Sequence, residues 1–245
     1  MNIIKFVKKK NGWYDIVLEN ERKILVYEDL ILKYNLLISK QIDENDLDNL
    51  IYENNYYIGY NNAIKLISRK MRSVFEIKEY LKKSDISSEM IDSIITKITN
   101  QGYLNDKEYA VAYVNDRLNL SNDGPNKIIS YLRQNSIPDE YIFSALETFE
   151  ISVQKERIYK LIQKQIKLNN NKGKYLLEQK IVINLVNLGY DRSLVLDTLK
   201  SFDFNDKDIL EKEYKKIYDK LSKKYSGKEL EYRIKQKMYQ KGFTN

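Results

Sequence analysis

Over the first thirty positions apolar residues keep a sheet-like alternation, in Ile3 to Val7, Trp13 to Leu18 and Lys23 to Tyr27. Lys10-Asn11-Gly12 and Glu19-Asn20-Glu21 separate these runs, and Asn-Gly is a strong hairpin signal because both residues tolerate positive φ. The pattern predicts a small three-stranded antiparallel meander. Such a sheet is marginal alone and needs a cover for its apolar face, which the helical spacing of Leu30, Ile31 and Tyr34 supplies. After a short connection at Ile38-Ser39-Lys40-Gln41, the stretch from Asp43 to Asn54 opens a helical region that continues to the last residues.

The helical pattern repeats. Leu81, Leu132, Leu185 and Met238 align at separations of 51, 53 and 53 residues. Five positions beyond each stand Ile86, Ile137, Tyr190 and Phe243, ten beyond stand Ile91, Ile142 and Val195, and four later come Ile95, Leu146 and Leu199. Leu104-Asn105-Asp106-Lys107 returns as Phe204-Asn205-Asp206-Lys207, each opening a helix behind an Asn or Asp able to cap it. The first unit has helices from about Asn54 to Lys70, after the capping box Ser73-Val74-Phe75-Glu76, and from Ile86-Ser87 to Asn100. The second has Asp106 to Leu118, Pro125 to Gln134 and Asp139 to Glu147, with Pro125 at a first helical position where its missing donor costs nothing. The third has Gln154 to Leu168, Lys174 to Leu188 and Asp191 to Lys200, and the fourth Asp206 to Lys224 and Lys228 to Gln240. The expected fold is mainly α, an elongated tandem array of three-helix repeats preceded by a small three-stranded antiparallel sheet with a helix. Its expected divisions are 1–50, 51–103, 104–150, 151–203 and a truncated two-helix unit over 204–245.

Composition narrows the chemistry. The 245 residues contain no Cys and no His, which removes thiol nucleophiles, disulfides, Cys/His zinc sites and imidazole acid-base catalysis. The 8 glycines are scattered at turns rather than gathered into a phosphate loop. The carboxylate run Asp43-Glu44-Asn45-Asp46 lacks partner spacing for metal or glycosyl chemistry and reads as a helix start. No catalytic residue, cofactor or metal is expected. No apolar run approaches the roughly 20 residues of a bilayer span, and Lys8-Lys9-Lys10 interrupts the start, so a cytoplasmic protein without membrane contact is expected.

The net charge of +7 is unevenly placed: residues 1–50 carry −1, 51–150 carry −2 and 151–245 carry +10. The last third therefore suits a polyanion or an acidic protein surface, and equally a solvated basic face. Lys212, Lys216 and Lys223 fall opposite the stripe Leu210, Tyr214, Ile217, Leu221. Lys228, Tyr232, Lys235 and Tyr239 fall opposite Leu230, Ile234 and Met238. Lysines interleaved with rings suit backbone phosphates with base stacking, or an acidic protein surface, while the alternative is that these tyrosines pack on the preceding repeat. Arg69, Lys70 and Arg72 form a second basic cluster, which compensation of a helix C-terminus also explains. The third helices open with Ser87-Ser88-Glu89, Asp139-Glu140 and Asp191-Arg192. Such acidic first turns repel phosphate and argue against a helix-turn-helix DNA reader.

The residues Ala63 to Ser68, Lys70-Met71-Arg72-Ser73, Glu76-Ile77, Tyr80-Leu81, Gly102 to Asp106, Tyr109-Ala110, Tyr113-Val114, Gly124 to Leu132 and Ile137 to Leu146 together resemble the RecX regulatory family over nearly the whole chain. Lys70 stands where the family usually has Arg, and Asn105 where Asp is common. The N-terminal sheet is similar to the extension of longer family members. The resemblance implies a protein without an active site that binds the RecA filament and modulates its assembly, ATP hydrolysis, strand exchange and co-protease activity in recombination and the SOS response. It also implies a monomer. Two other readings stay open on the residues alone: a helical array that binds single- or double-stranded DNA directly, and a scaffold repeat with other partners.

Overall fold

The computed structural model describes residues 1–84, 86–169, 171–203 and 207–243. The chain divides into two compact units, Met1–Tyr109 and Ala110–Asn245.

In the N-terminal unit β1 (Ile3–Lys8), β2 (Trp13–Leu18) and β3 (Lys23–Tyr27) form an antiparallel sheet in the order β1-β2-β3. Asn11 and Gly12 take φ of 58° and 78°, the left-handed pair that the Asn-Gly hairpin requires. α1 (Glu28–Lys33) and the single turn α2 (Leu36–Ser39) follow. Leu30 and Ile31 of α1 are buried with Ile16, Leu18 and Val26 of the sheet, so α1 supplies part of the expected cover.

The rest of that cover comes from α3 (Glu44–Ile67), a single 24-residue helix where the hydrophobic pattern suggested an opening stretch and a new helix near Asn54. Asp43 caps it by accepting the Asp46 N–H at 2.7 Å. Leu47 and Leu50 near its start belong to the sheet core, whereas Ala63 belongs to the next core. Between them Asn54 is buried, its amide accepting the Tyr27 N–H at 3.0 Å and donating to the Leu25 carbonyl at 2.6 Å. A polar residue that reads as a helix boundary thus ties the helix to the open edge of β3. Gly59, also inside α3, admits α5: a Cβ there would lie 2.6 Å from Ile86 Cδ1 and 2.9 Å from Ile94 Cδ1.

α3, α4 (Val74–Leu81) and α5 (Ser88–Asn100) pack pairwise around Ile77, Leu81, Ile94 and Ile98. The capping box is complete, with Ser73 Oγ accepting the Glu76 N–H and the Glu76 carboxylate accepting the Ser73 N–H, both at 3.1 Å. Asp106 adds its carboxylate, which accepts the Val74 N–H at 2.9 Å. Asp106 opens α6 (Asp106–Leu120), whose start is capped by Asn105 accepting the N–H groups of Lys107 and Glu108.

α7 (Pro125–Gln134), α8 (Asp139–Leu146), α9 (Ile151–Leu168), α10 (Lys174–Asn187), α11 (Arg192–Leu199), α12 (Lys207–Leu221) and α13 (Gly227–Gln240) follow in the C-terminal unit. The fold is therefore mainly helical with a small N-terminal antiparallel sheet. The Asn205-Asp206 cap expected for α12 lies outside the described residues.

The aligned positions occupy matching environments. Leu81, Leu132 and Leu185 are fully buried, and Met238 nearly so. At three of the four aligned positions the five-residue step closes the same turn: the N–H groups of Ile137, Tyr190 and Phe243 donate to the carbonyls of Leu132, Leu185 and Met238, each at 3.1 Å. The residue before each is left-handed, Ser136 at 56°, Gly189 at 94° and Gly242 at 85°, as in a helix-terminating turn that recovers orphan carbonyls. Ile86 differs, donating to Ser84 at 2.8 Å.

Two of these turns, both within the C-terminal unit, receive the start of an earlier helix, α7 at Gly189 and α10 at Gly242. Gly124 N–H donates to the Leu188 carbonyl at 2.6 Å and Asn126 N–H to that of Gly189 at 3.0 Å, while Gly173 N–H donates to Lys241 at 2.8 Å. A helix N-terminus with unpaired donors thus meets a C-terminal turn with unpaired acceptors, and opposite dipole ends face each other. The approach requires glycine: a Cβ on Gly124 would lie 2.6 Å from the Gly189 carbonyl carbon, and one on Gly173 would overlap the Gly242 carbonyl at 2.2 Å. Arg157 of α9 ties the end of α6 to the residue after the Gly189 turn, donating to the carbonyls of Leu118 and Ser121, each at 2.6 Å, and to the Tyr190 hydroxyl at 3.2 Å.

Candidate partner interface

The cationic and aromatic candidates sit mostly on α12 and α13. The apolar spacing of α13 buries Leu230, Ile234 and Met238 with Phe243, against Leu210, Ile217 and Leu221 of α12. Lys228, Tyr232, Lys235 and Tyr239 are consequently exposed, Tyr232 by 68% and Tyr239 by 71%. The reading in which these rings pack on the preceding repeat is thereby overturned.

Tyr214 departs from the expected stripe. It is 47% exposed and its ring lies 6.4 Å from that of Tyr218, while its neighbour Glu213 is buried. The buried Glu213 is paired with Lys241, which donates to its carboxylate from the turn after α13, while the exposed Lys216 stands 3.8 Å away. The Lys241 hydrogen bond outweighs burial and holds the Glu213 carboxyl below the usual glutamate range. Lys216 is exposed, as the spacing suggested, and its ammonium stands near this carboxylate across one helical turn. Lys212 and Lys223 are exposed.

Between α12 and α13 an open groove of about 460 Å³ is floored by Leu210, Ile234, Met238 and Phe243 and flanked by Tyr214 and Tyr239, with Lys235 and Glu231 on its lip. The structure thus brings Lys235 and Tyr239 together at one groove. Sequence reasoning missed Tyr214 as a surface group and Glu231 as part of this groove. A tyrosine at helical spacing reads as core, and a glutamate beside lysines reads as solvated, so neither carried a signal.

Arg69, Lys70 and Arg72 follow α3 in the other unit. Arg69 and Lys70 are exposed, but Arg72 is partly buried and its guanidinium donates to Glu76 at 2.9 Å, inside the α4 capping box. This arginine serves the helix start.

The third helices carry fixed negative charge at their first turns. Glu89 is held below the usual range chiefly by its own backbone N–H, Asp139 by the Arg133 guanidinium at 2.8 and 2.9 Å, and Asp191 by the Ser193 hydroxyl. The ionised carboxylates of Glu89 and Asp191 repel a DNA backbone and oppose major-groove reading by their helices, whereas the Arg133 pairing neutralises Asp139. Among the described residues no group of three or more Asp or Glu is placed to hold a metal ion, and no helix is long and apolar enough to cross a membrane.

Fold and surface together define a tandem three-helix-repeat protein, a class in which neighbouring units share cores and leave long faces for recognition. Residues 60–97 match the first three-helix domain of RecX and residues 105–146 the second. Regulatory protein RecX of Bacillus subtilis (strain 168) is 27% identical over 97% of this chain and 91% of its own length. That of Bacillus cytotoxicus is 31% identical over 89% of this chain and 83% of its own. A crystal structure of regulatory protein RecX superposes with a TM-score of 0.64 at 28% identity, covering 80% of this chain and 98% of that one. The chain belongs to the RecX family of regulatory proteins.

Proposed function

We propose that this protein binds RecA filaments and inhibits their assembly, ATP hydrolysis, strand exchange and co-protease activity, by binding and without turnover. The observation that carries the reading beyond family membership is the exposed face of α13, where Lys228, Tyr232, Lys235 and Tyr239 stand clear of the protein. Tyrosine is among the side chains at which binding energy concentrates in protein interfaces, and lysines beside it favour an acidic partner surface. A ligand that prefers one filament geometry over another shifts the balance between them by its differential affinity, so regulation requires no chemistry. On this reading the protein acts as a monomer in the cytoplasm, where the filament forms, and Arg69, Lys70, Lys212, Lys216 and Lys223 add a cationic periphery.

The test is assembly of RecA on single-stranded DNA with and without the protein across a salt series. Slowed assembly or faster disassembly at salt where the protein alone binds no DNA supports the proposal. Unchanged filaments at saturating protein refute it.

A second reading, direct binding to single- or double-stranded DNA, is favoured by the same interleaving of lysines and rings, which suits phosphates and base stacking. It requires affinity for DNA in the absence of RecA that falls steeply with salt.

A further inference from the structure

We infer that the groove between α12 and α13 receives a short acidic segment of a partner protein, with one bulky apolar side chain seated on its floor. The inference rests on the RecA reading above and specifies how that partner is held.

The groove is a built feature. Its floor of Leu210, Ile234, Met238 and Phe243 is apolar, and its volume of about 460 Å³ lies within the range of pockets that enclose a ligand. Met238 is an adaptable wall, since an unbranched thioether moulds to different shapes. Tyr214 and Tyr239 stand at the sides with 47% and 71% of their surfaces exposed, so their rings are available to close over a seated side chain.

Charge selects the occupant. Residues 207–243 carry twelve Lys and Arg against six Asp and Glu. Two of the six are already engaged within the pair of helices, Glu213 by Lys241 and Lys216, and Glu229 by Arg233 at 2.9 Å. The surroundings of an apolar slot therefore present an excess of cations, with Lys235 on the lip itself. A segment with carboxylates on either side of an apolar anchor complements both features.

A nucleic acid strand fits less well. The largely aliphatic floor seats an alkyl side chain better than the polar edge of a base, and Glu231 on the lip would repel a phosphate chain. A folded acidic segment can direct its carboxylates to Lys235 and away from Glu231.

Because the chain contains no cysteine, a single introduced thiol carries a photocrosslinker to one defined place. Full-length Tyr239→Cys and, as a control in α3, Tyr52→Cys are labelled, bound to RecA filaments on single-stranded DNA and irradiated. The expected result is a crosslink yield about 10-fold higher from position 239 than from position 52, mapped to a RecA segment in which acidic residues flank an apolar one. Lys235→Glu should weaken filament binding about 10-fold while leaving the circular dichroism spectrum unchanged. Crosslinks from position 239 to the DNA or to a basic RecA segment overturn the assignment, as does unchanged binding by Lys235→Glu. Binding retained with those results removes the groove alone. A wild-type chain that does not bind RecA filaments removes the underlying reading as well.

Discussion

Helix α4 on one side and helices α7 and α10 on the other begin in two different ways, and the contrast falls between the two units. In the N-terminal unit α4 is capped by side chains: Ser73, Glu76 and the carboxylate of Asp106 satisfy its first donors. In the C-terminal unit α7 and α10 have no side-chain cap. Their glycine entries rest directly on the backbone turns at Gly189 and Gly242. Side-chain capping leaves space and is titratable, whereas backbone seating is steric and insensitive to protonation. The first should tolerate replacement at moderate cost, and the second should tolerate almost none.

The largest effect is therefore expected at the seats. Gly173→Ala places a Cβ 2.2 Å from the Gly242 carbonyl oxygen, and neither backbone can yield without moving a helix. We expect destabilisation at the upper end of the overpacking range, about 3 kcal/mol, read as a lowered urea midpoint by far-ultraviolet circular dichroism. Gly124→Ala should behave alike. A shift below about 1 kcal/mol at both would show that the seats are soft.

Arg157 comes next. Arg157→Ala leaves the carbonyls of Leu118 and Ser121 without their charged donor, at a cost of about 2 kcal/mol. Arg157→Lys should recover only part, because a single ammonium cannot reproduce the guanidinium fork. Full recovery by lysine would assign the effect to charge rather than geometry.

Ser73→Ala should cost about 1 kcal/mol, the usual value of an N-cap, and Trp13 fluorescence reports it because the only tryptophan lies in the same unit. Loss above about 3 kcal/mol would place Ser73 among the steric seats instead.

The smallest effects are pH dependences of opposite sign. Burial raises the Asp106 carboxyl above the usual aspartate range despite the Val74 N–H. Its contribution is thus complete in acid, below the unfolded-state pKa, and is lost as pH rises through the raised folded value. Glu213 is lowered by Lys241, so its contribution is complete above the unfolded-state pKa and is lost as pH falls through the lowered folded value. Asp106→Asn should remove an acid-favouring term from the stability profile and Glu213→Gln an acid-disfavouring one, measured from about pH 3 to about pH 7. Changes of the same sign in both would contradict the assigned causes.

Much of the fold was legible because its signals are periodic. Leu132, Leu185 and Met238 mark one turn three times, and the Asn-Gly hairpin and the Ser73 capping box are local motifs with local causes. The continuity of α3 was hidden because its evidence is tertiary: Asn54 is polar and buried only by virtue of β3, and Gly59 is required only by the crossing of α5. The glycine seats were visible as isolated glycines, but their partners stand 65 and 69 residues away in Gly189 and Gly242, a relation no local pattern carries. At the candidate interface, spacing correctly exposed Tyr232 and Tyr239 and wrongly buried Tyr214, since a side chain with a wet end satisfies either position. Glu213 was overlooked because its pairing with Lys241 spans two helices.

The most direct test of the account is RecA ATP hydrolysis on single-stranded DNA, titrated with the wild-type protein and with a folded variant carrying Lys228→Ala, Tyr232→Ala, Lys235→Ala and Tyr239→Ala together. The account predicts inhibition by the wild type and a requirement for at least about 10-fold more of the variant to reach the same rate. Equal inhibition by both proteins would contradict it.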